Sequence, residues 1–377
     1  MQVMIPKENS EFEKRIAIVP EVVQKLIKKG FSVGVEKGAG EGCHIPDEWF
    51  VRSGAHIING HKQIFEEADT VLKIQHPTPE ELGWMKPGSL LISYFYPLSN
   101  PDSVTFAAGK NINVISVDSI PRITKAQSMD VLSSQTNIAG YKAVILVANE
   151  LGKAIPMMMT AAGTVKPAKF VIMGAGVAGL QAIATAKRLG AIVEVSDIRL
   201  AAREEVESLG GRFIDLGTAE DFSSKDGYAR EAGADFLKHQ QSVLQNHISD
   251  ADAVITTALI PGKKAPVLIT EEMIESMKPG SVILDMAVEF GGNVVGSKTG
   301  RTVTQNGVTI LGEPNLPSLL AYQSSELYAK NILNLIDYLF KNNSVELNPD
   351  DDILKGCLIT FNGNATLNKI QEIKELI

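Results

Sequence analysis

The 377-residue chain has only two cysteines, Cys43 and Cys357, far apart and without metal-ligand spacing. They exclude a disulfide framework and a cysteine-based zinc site, and they fit a reducing, intracellular setting. There is no run of about 18 uninterrupted apolar residues, the length a membrane-spanning helix needs; the apolar stretch 143–148 is cut off by Glu150 and Lys153. Positive charge is also short, with 36 Lys and Arg against 44 Asp and Glu. Nucleic acid and anionic lipid surfaces are bound through basic patches that displace counterions, so neither is expected as a partner. The densest basic cluster, Lys25, Lys28 and Lys29, reads as the solvated end of a helix. Residues 1–15 are rich in charge and lack the apolar core of a signal peptide.

What is present is a globular composition, 44% hydrophobic and 21% charged, on a chain too long for one ordinary core. Strand-like segments at 1–5, 32–36, 70–74, 89–94 and 113–117 alternate with helical ones at 20–29, opened by Pro20, and 62–67. That order predicts a parallel sheet with covering helices. Residues 126–150 contain few breakers and predict a long rod joining two domains. A second block follows, with strands at 169–173, 192–196, 212–215, 253–256, 281–285 and 308–311 and helices at 179–189, 200–208 and 271–277. A helix at 319–340 is expected to return to the first domain, and the tail around Asn342, Asn343, Pro349 and Asp350 reads as loop-rich. The expected fold is α/β: two Rossmann-like domains, each a mostly parallel sheet flanked by helices, with a cleft between them. The first domain takes residues 1–130 plus 320–377 and the second 131–319.

The strongest local signal is the run Val171-Ile-Met-Gly174-Ala-Gly176-Val-Ala-Gly179-Leu. A GxGxxG alone is weak, but here a β-branched strand precedes it and a helical segment follows. Gly174 permits the tight turn, Gly176 lets backbone approach a pyrophosphate, and Gly179 lets helix pack on strand. The helix N-terminus, with the amides of Val177 and Ala178, then offers free N–H groups and a positive dipole to phosphate. The next strand ends in Asp197, about 20 residues further on, where a carboxylate accepts hydrogen bonds from adenosine ribose hydroxyls and repels a 2′-phosphate. The expected dinucleotide is NAD(H), with Ile198 and Arg199 joining the contact set. Two readings stay open: Asp197 also suits a helix N-cap, and Arg199 is a residue type able to hold a 2′-phosphate.

The segment Pro121-Arg122-Ile-Thr-Lys-Ala-Gln127-Ser-Met-Asp130 and its continuation to Tyr141 resemble the signature loop and helix of proton-translocating nicotinamide nucleotide transhydrogenases. The runs from Pro156, from Gly174, from Thr256 to Gly262 and from Lys278 to Glu289 continue the match. The resemblance covers essentially the whole chain and ends where that family's membrane region begins, as in a separately encoded NAD(H)-binding component. It implies Re/Si-specific hydride transfer between NADH here and NADP(H) on a partner component, coupled to proton translocation by transmembrane subunits. It also implies a homodimer, held on the cytoplasmic face of the inner membrane through those partners, without metal. Arg122, Gln127 and Asp130 are implied beside the nicotinamide. Ser133, Val177, Ala178, Gln240 and Leu259 are implied near the cofactor, and Gly227 and Tyr228 on a loop closing over it. The polar, glycine-containing stretch 223–228 suits such a loop.

The same architecture resembles alanine dehydrogenase, the alternative reading. Arg15 and Lys73 fall at that enzyme's carboxylate-binding positions, but Tyr96 stands where it carries a catalytic histidine and Glu289 where it carries a catalytic aspartate. Amino-acid oxidation needs a base titrating near neutrality, and a phenol with a pKa of about 10 is poorly suited. None of the six histidines is an evident substitute; His76 lies before a proline in an expected loop. A non-catalytic NAD-binding module is the third reading, and the intact Gln127 segment argues against it.

Overall fold

The computed structural model describes residues 1–217, 233–260, 262–341 and 344–366. The chain divides into two units, Met1–Gln135 with Pro317–Ile377, and Thr136–Leu316. Each is built on one large sheet, and the fold is of the two-domain Rossmann-like α/β class.

In the first unit the sheet runs Asn364–Ala365, Leu358–Phe361, Asn113–Ser116, Leu90–Ser93, Thr70–Leu72, Gln2–Ile5, Ser32–Glu36 and His56–Ile58. The six strands contributed before residue 120 are parallel, and Leu358–Phe361 adds antiparallel to Asn113–Ser116. Central strands read Val-Leu or Leu-Leu-Ile without polar alternation because both faces are covered. One face packs Val3, Val33 and Ile92 against Tyr328, Ile332 and Leu335 of the helix Ala321–Leu339. The other buries Leu91 and Val114 with Phe65 and Val104. The helix Pro20–Lys28 has proline in its first turn and buries Val22, Val23 and Leu26. Its exposed side carries Lys25, bonded to Glu21 one turn back.

In the second unit the order is Arg212–Phe213, Ile192–Ser196, Lys169–Met173, Ala253–Thr256, Val282–Asp285, Val308–Gly312 and Arg301–Gln305. All neighbours are parallel except the last pair, a hairpin. The first strand in sequence, Lys169–Met173, sits between Ile192–Ser196 on one side and Ala253–Thr256 on the other. Its carboxyl end is therefore a topological switch point, where crossovers leave to opposite faces and a crevice opens. The first unit has its own switch point, at the end of Gln2–Ile5 between Ser32–Glu36 and Thr70–Leu72.

The expected rod over 126–150 is not continuous. Thr124–Met129 form a 3-10 turn, the chain breaks at Asp130, and the α-helix is Val131–Glu150. The break is made by Asp130, whose carboxylate accepts from Ser133 N at 2.9 Å and from Ser133 Oγ at 2.5 Å, the geometry of an N-cap. The loop-rich tail also holds more order than expected, including the strand Leu358–Phe361.

Glu194, inside the strand Ile192–Ser196, is nearly buried yet ionic. Its Oε2 lies 2.6 Å from His247 Nδ1 and 3.0 Å from Lys169 Nζ. Burial alone raises a carboxyl pKa; the His247 hydrogen bond and Lys169 outweigh it and hold Glu194 below its ordinary value. A depressed folded pKa means the stabilisation is present above the unfolded value of about 4.3 and is lost as pH falls through the folded one. Glu194→Gln is expected to destabilise by about 1–3 kcal/mol at neutral pH, the scale for hydrogen bonds to charged groups. Thermal melts by circular dichroism should show that deficit shrinking below about pH 4; an equal deficit at both pH values would show that the charge contributes nothing.

Candidate functional site

At the second unit's switch point the strand Lys169–Met173 turns into the helix Val177–Arg188. Gly174 has φ +107°, a conformation that side chains disfavour. A Cβ there would lie 2.3 Å from Thr257 Oγ1, and one at Gly179 would lie 1.9 Å from the carbonyl oxygen of Gly174. Thr257 Oγ1 bonds the carbonyls of Met173 and Gly174 at 3.2 and 3.3 Å, joining the turn to the strand beyond the switch point. Gly176 is different. It is exposed, is the helix N-cap, offers no side-chain acceptor, and a Cβ on it would meet nothing within 4 Å. The first-turn amides, including Val177 and Ala178, thus point past a residue without bulk.

Asp197, 8% exposed, follows the strand Ile192–Ser196. Its Oδ2 accepts from Ala175 N at 2.7 Å, which ties it to the glycine turn, and its Oδ1 accepts from Arg199 N at 2.8 Å. The Arg199 guanidinium bonds the same carboxylate, with Nε 3.0 Å from Oδ1 and Nη2 2.9 Å from Oδ2. The N-cap reading for Asp197 fails, because the following helix, Ala202–Ser208, begins after Ala201. Arg199 is committed to a carboxylate in this state. The set fits a dinucleotide: a glycine cradle, an open helix N-terminus, and an acid set by two backbone amides, with exchangeable arginine contacts.

Of the other predicted residues in this unit, Ile198 is half-buried, Gln240 is buried on the helix Ala234–Ser249, and Leu259 is exposed on the segment after Ala253–Thr256. Gly227 and Tyr228 lie outside the described residues. Sequence reading missed the support beneath the Leu259 segment. Asn293 bonds Ala258 on both its N–H and C=O, at 3.1 and 3.0 Å, and Pro266 O at 2.7 Å. Asp285, fully buried, accepts from Ala287 N and from Asn293 N. Both lie in or beside the quoted run from Lys278, but nothing local marks a pairing with Ala258.

Arg122, Gln127, Asp130 and Ser133 belong to the first unit. Ala126 and Met129 are buried and anchor the 3-10 turn, leaving Arg122 and Gln127 exposed, while Asp130 and Ser133 bond each other. Arg15 and Lys73 are buried and ion-paired at the first unit's switch point. Arg15 Nε and Nη2 meet Glu13 at 2.8 and 2.6 Å, and its Nη1 meets Gln135 Oε1 at 2.6 Å. Lys73 Nζ lies 2.9 Å from Glu8 and 3.4 Å from Glu81. Burial favours a neutral Lys73, but the Glu8 and Glu81 carboxylates outweigh it and hold it charged. Tyr96 has φ +47° and stacks on Tyr94, whose phenol burial pushes far above its ordinary value.

Family models match at residues 4–139, alanine dehydrogenase/PNT, N-terminal domain, and at 143–368, alanine dehydrogenase/PNT, C-terminal domain. The chain is 47% identical over 375 residues to the separately encoded first portion of NAD(P) transhydrogenase subunit alpha from Rhodospirillum rubrum, covering 96% of this chain and 97% of that one. The solved structure of a transhydrogenase from Sinorhizobium meliloti superposes with a TM-score of 0.86 at 44% identity, covering 97% of this chain and 100% of that one. An L-alanine dehydrogenase structure superposes with a TM-score of 0.80 at 26% identity, covering 100% and 99%.

The glycine contacts set different tolerances. Gly179→Ala drives a methyl into backbone and is expected to destabilise by about 1–3 kcal/mol or more. Gly176→Ala is expected to stay within about 0.5 kcal/mol of the parent. Urea unfolding of the two variants side by side checks the contrast, and equal stabilities would contradict the packing described.

Proposed function

The chain belongs to the alanine dehydrogenase/PNT family, and we propose that within it this is the NAD(H)-binding component of a proton-translocating transhydrogenase. The observation that carries the reading is the switch-point turn, where Gly176 leaves the helix N-terminus open beside the anchored carboxylate of Asp197. The length agreement with the Rhodospirillum rubrum subunit supports it.

Bound NADH supplies a hydride, which passes to NADP⁺ held by a separate component, with Re/Si specificity and coupled to proton translocation through transmembrane subunits. The amides of Val177 and Ala178 bind the pyrophosphate. Asp197 binds the adenosine ribose and selects against a 2′-phosphate, with Ile198 and Arg199 beside it. Gln240 and Leu259 line the nucleotide, and Gly227 and Tyr228 belong to a segment closing over it. Gln127, able to donate and accept at once, orients the nicotinamide end together with Arg122, and Asp130 and Ser133 hold that segment in register. Such residues accelerate the reaction by proximity, not by covalent chemistry. The component acts as a homodimer, placed on the cytoplasmic face of the inner membrane by its partners.

The alanine dehydrogenase reading is disfavoured. The charges of Arg15 and Lys73 are taken by Glu13, Glu8 and Glu81, and Tyr96 replaces the histidine base. The purified chain is expected not to reduce NAD⁺ with L-alanine at mildly alkaline pH; a robust rate would reverse the ranking.

NADH is expected to bind far better than NADPH in fluorescence titrations, and Asp197→Ala to narrow the gap by about 1–3 kcal/mol. Equal affinities for the parent chain would remove the assignment of Asp197. Mixing the chain with a transhydrogenase NADP(H)-binding component should give fast hydride exchange between NADH and NADP⁺. Gln127→Asn should slow that exchange with NADH affinity nearly unchanged. Full-rate exchange by the chain alone would overturn the split-component reading.

A further inference from the structure

Two asparagines of the helix Ala321–Leu339 converge on one carbonyl. Asn331 Nδ2 lies 2.8 Å, and Asn334 Nδ2 2.9 Å, from the oxygen of Ser128, the residue after Gln127. Positions three apart share a helix face, so both amides reach the same point. A carbonyl oxygen has two lone pairs, and this one uses both. On the other side of Gln127, its own carbonyl accepts from Asp130 N at 3.3 Å, and the buried side chains of Ala126 and Met129 flank it. The backbone on either side of Gln127 is therefore fixed while its side chain stays exposed.

Asn331 is not what stability alone selects. It is 8% exposed among Ile332, Leu333 and Leu335, and its Oδ1 has no hydrogen-bond partner among the described residues. A buried acceptor without a partner is unfavourable, and an apolar side chain at this place on the helix removes that penalty. What the apolar side chain lacks is a donor for Ser128.

We propose that Asn331 and Asn334 are positioning residues for hydride transfer: they hold the Ser128 carbonyl and so pre-set the backbone from which Gln127 and Arg122 reach the nicotinamide. This rests on the functional reading of Gln127 given above. Geometry pre-set in this way speeds a proximity-driven step without tightening binding.

The test uses the full chain with Asn331→Leu, Asn334→Ala and both together. Hydrogen–deuterium exchange of the peptide spanning 122–131, and tryptic cleavage after Arg122 and Lys125, should accelerate about tenfold in the double variant with the rest of the chain unchanged. The melting temperature should hold, or rise with Asn331→Leu. NADH affinity should stay within about twofold, while the turnover of hydride exchange with the NADP(H)-binding component falls about tenfold. Unchanged exchange of the peptide would show that the two amides do not hold the segment. A loosened peptide with full turnover, alongside a slowed Gln127→Asn control, would overturn the positioning role alone. A Gln127→Asn control at full rate would instead remove the reading on which it rests. A parallel fall in melting temperature and NADH affinity would reduce the asparagines to ordinary structure.

Discussion

The second unit depends on a contact between backbones that leaves no room for a side chain. The carbonyl of Gly174 lies where a Cβ on Gly179 would be, and Thr257 closes the same space from the strand across the switch point. Gly140, inside the helix Val131–Glu150, meets the carbonyl of Ala178 in the same fashion, with 2.1 Å to a hypothetical Cβ. Glycine inside a helix is unfavourable by about 1 kcal/mol relative to alanine. Its place there follows from what it touches: two helices and a strand meet at main-chain distance around one turn. Because those atoms cannot be moved apart by side-chain repacking, the direction of the Val177 and Ala178 amides is set by the sheet.

The two units share a plan and treat its crevice in opposite ways. Each places its first strand between neighbours reached by crossovers to opposite faces, the arrangement that opens a crevice at the carboxyl ends. In the second unit that end is lined by glycine and kept open. In the first it is filled by the chain's own charges. Glu8, just past the strand Gln2–Ile5, accepts from Ile74 N at 2.6 Å and meets Lys73, while Glu13 holds Arg15 from two sides. Buried ions stay ionised only when paired and hydrogen-bonded, as these are. A crevice so occupied offers little to an incoming carboxylate, which is why the likeness to alanine dehydrogenase in fold does not carry over to its substrate.

Much of the second unit is legible in the sequence because its signals are local. The strands Lys169–Met173, Ile192–Ser196 and Ala253–Thr256 are β-branched runs bounded by glycine, aspartate or a turn, and they lie where the pattern puts them. Short helices such as Pro79–Trp84 and Pro101–Gly109 give too little periodicity to stand out, though each opens with proline, and Thr78 and Glu81 form a capping box. The rod over 126–150 differs from expectation because hydrophobic pattern ignores side-chain capping, and Asp130 interrupts the backbone where the pattern runs on. The pairings that define the sites are not legible at all. Asn331 and Ser128 are 203 residues apart, and Arg15 and Gln135 are 120 apart; only the folded sheet brings them together.

The pairing of Arg199 with Asp197 has a further consequence. On the proposed reading, the seat of the adenosine ribose is never vacant: the guanidinium already occupies acceptor positions that the two hydroxyls would use. Arrival of the nucleotide is then a swap of partners, and departure is the reverse swap, with the chain's own cation always ready to take the carboxylate back. Affinity at that end is the difference between two satisfied states and is correspondingly modest. A component that must let its dinucleotide go after each transfer is served by a carboxylate that loses nothing when the nucleotide leaves.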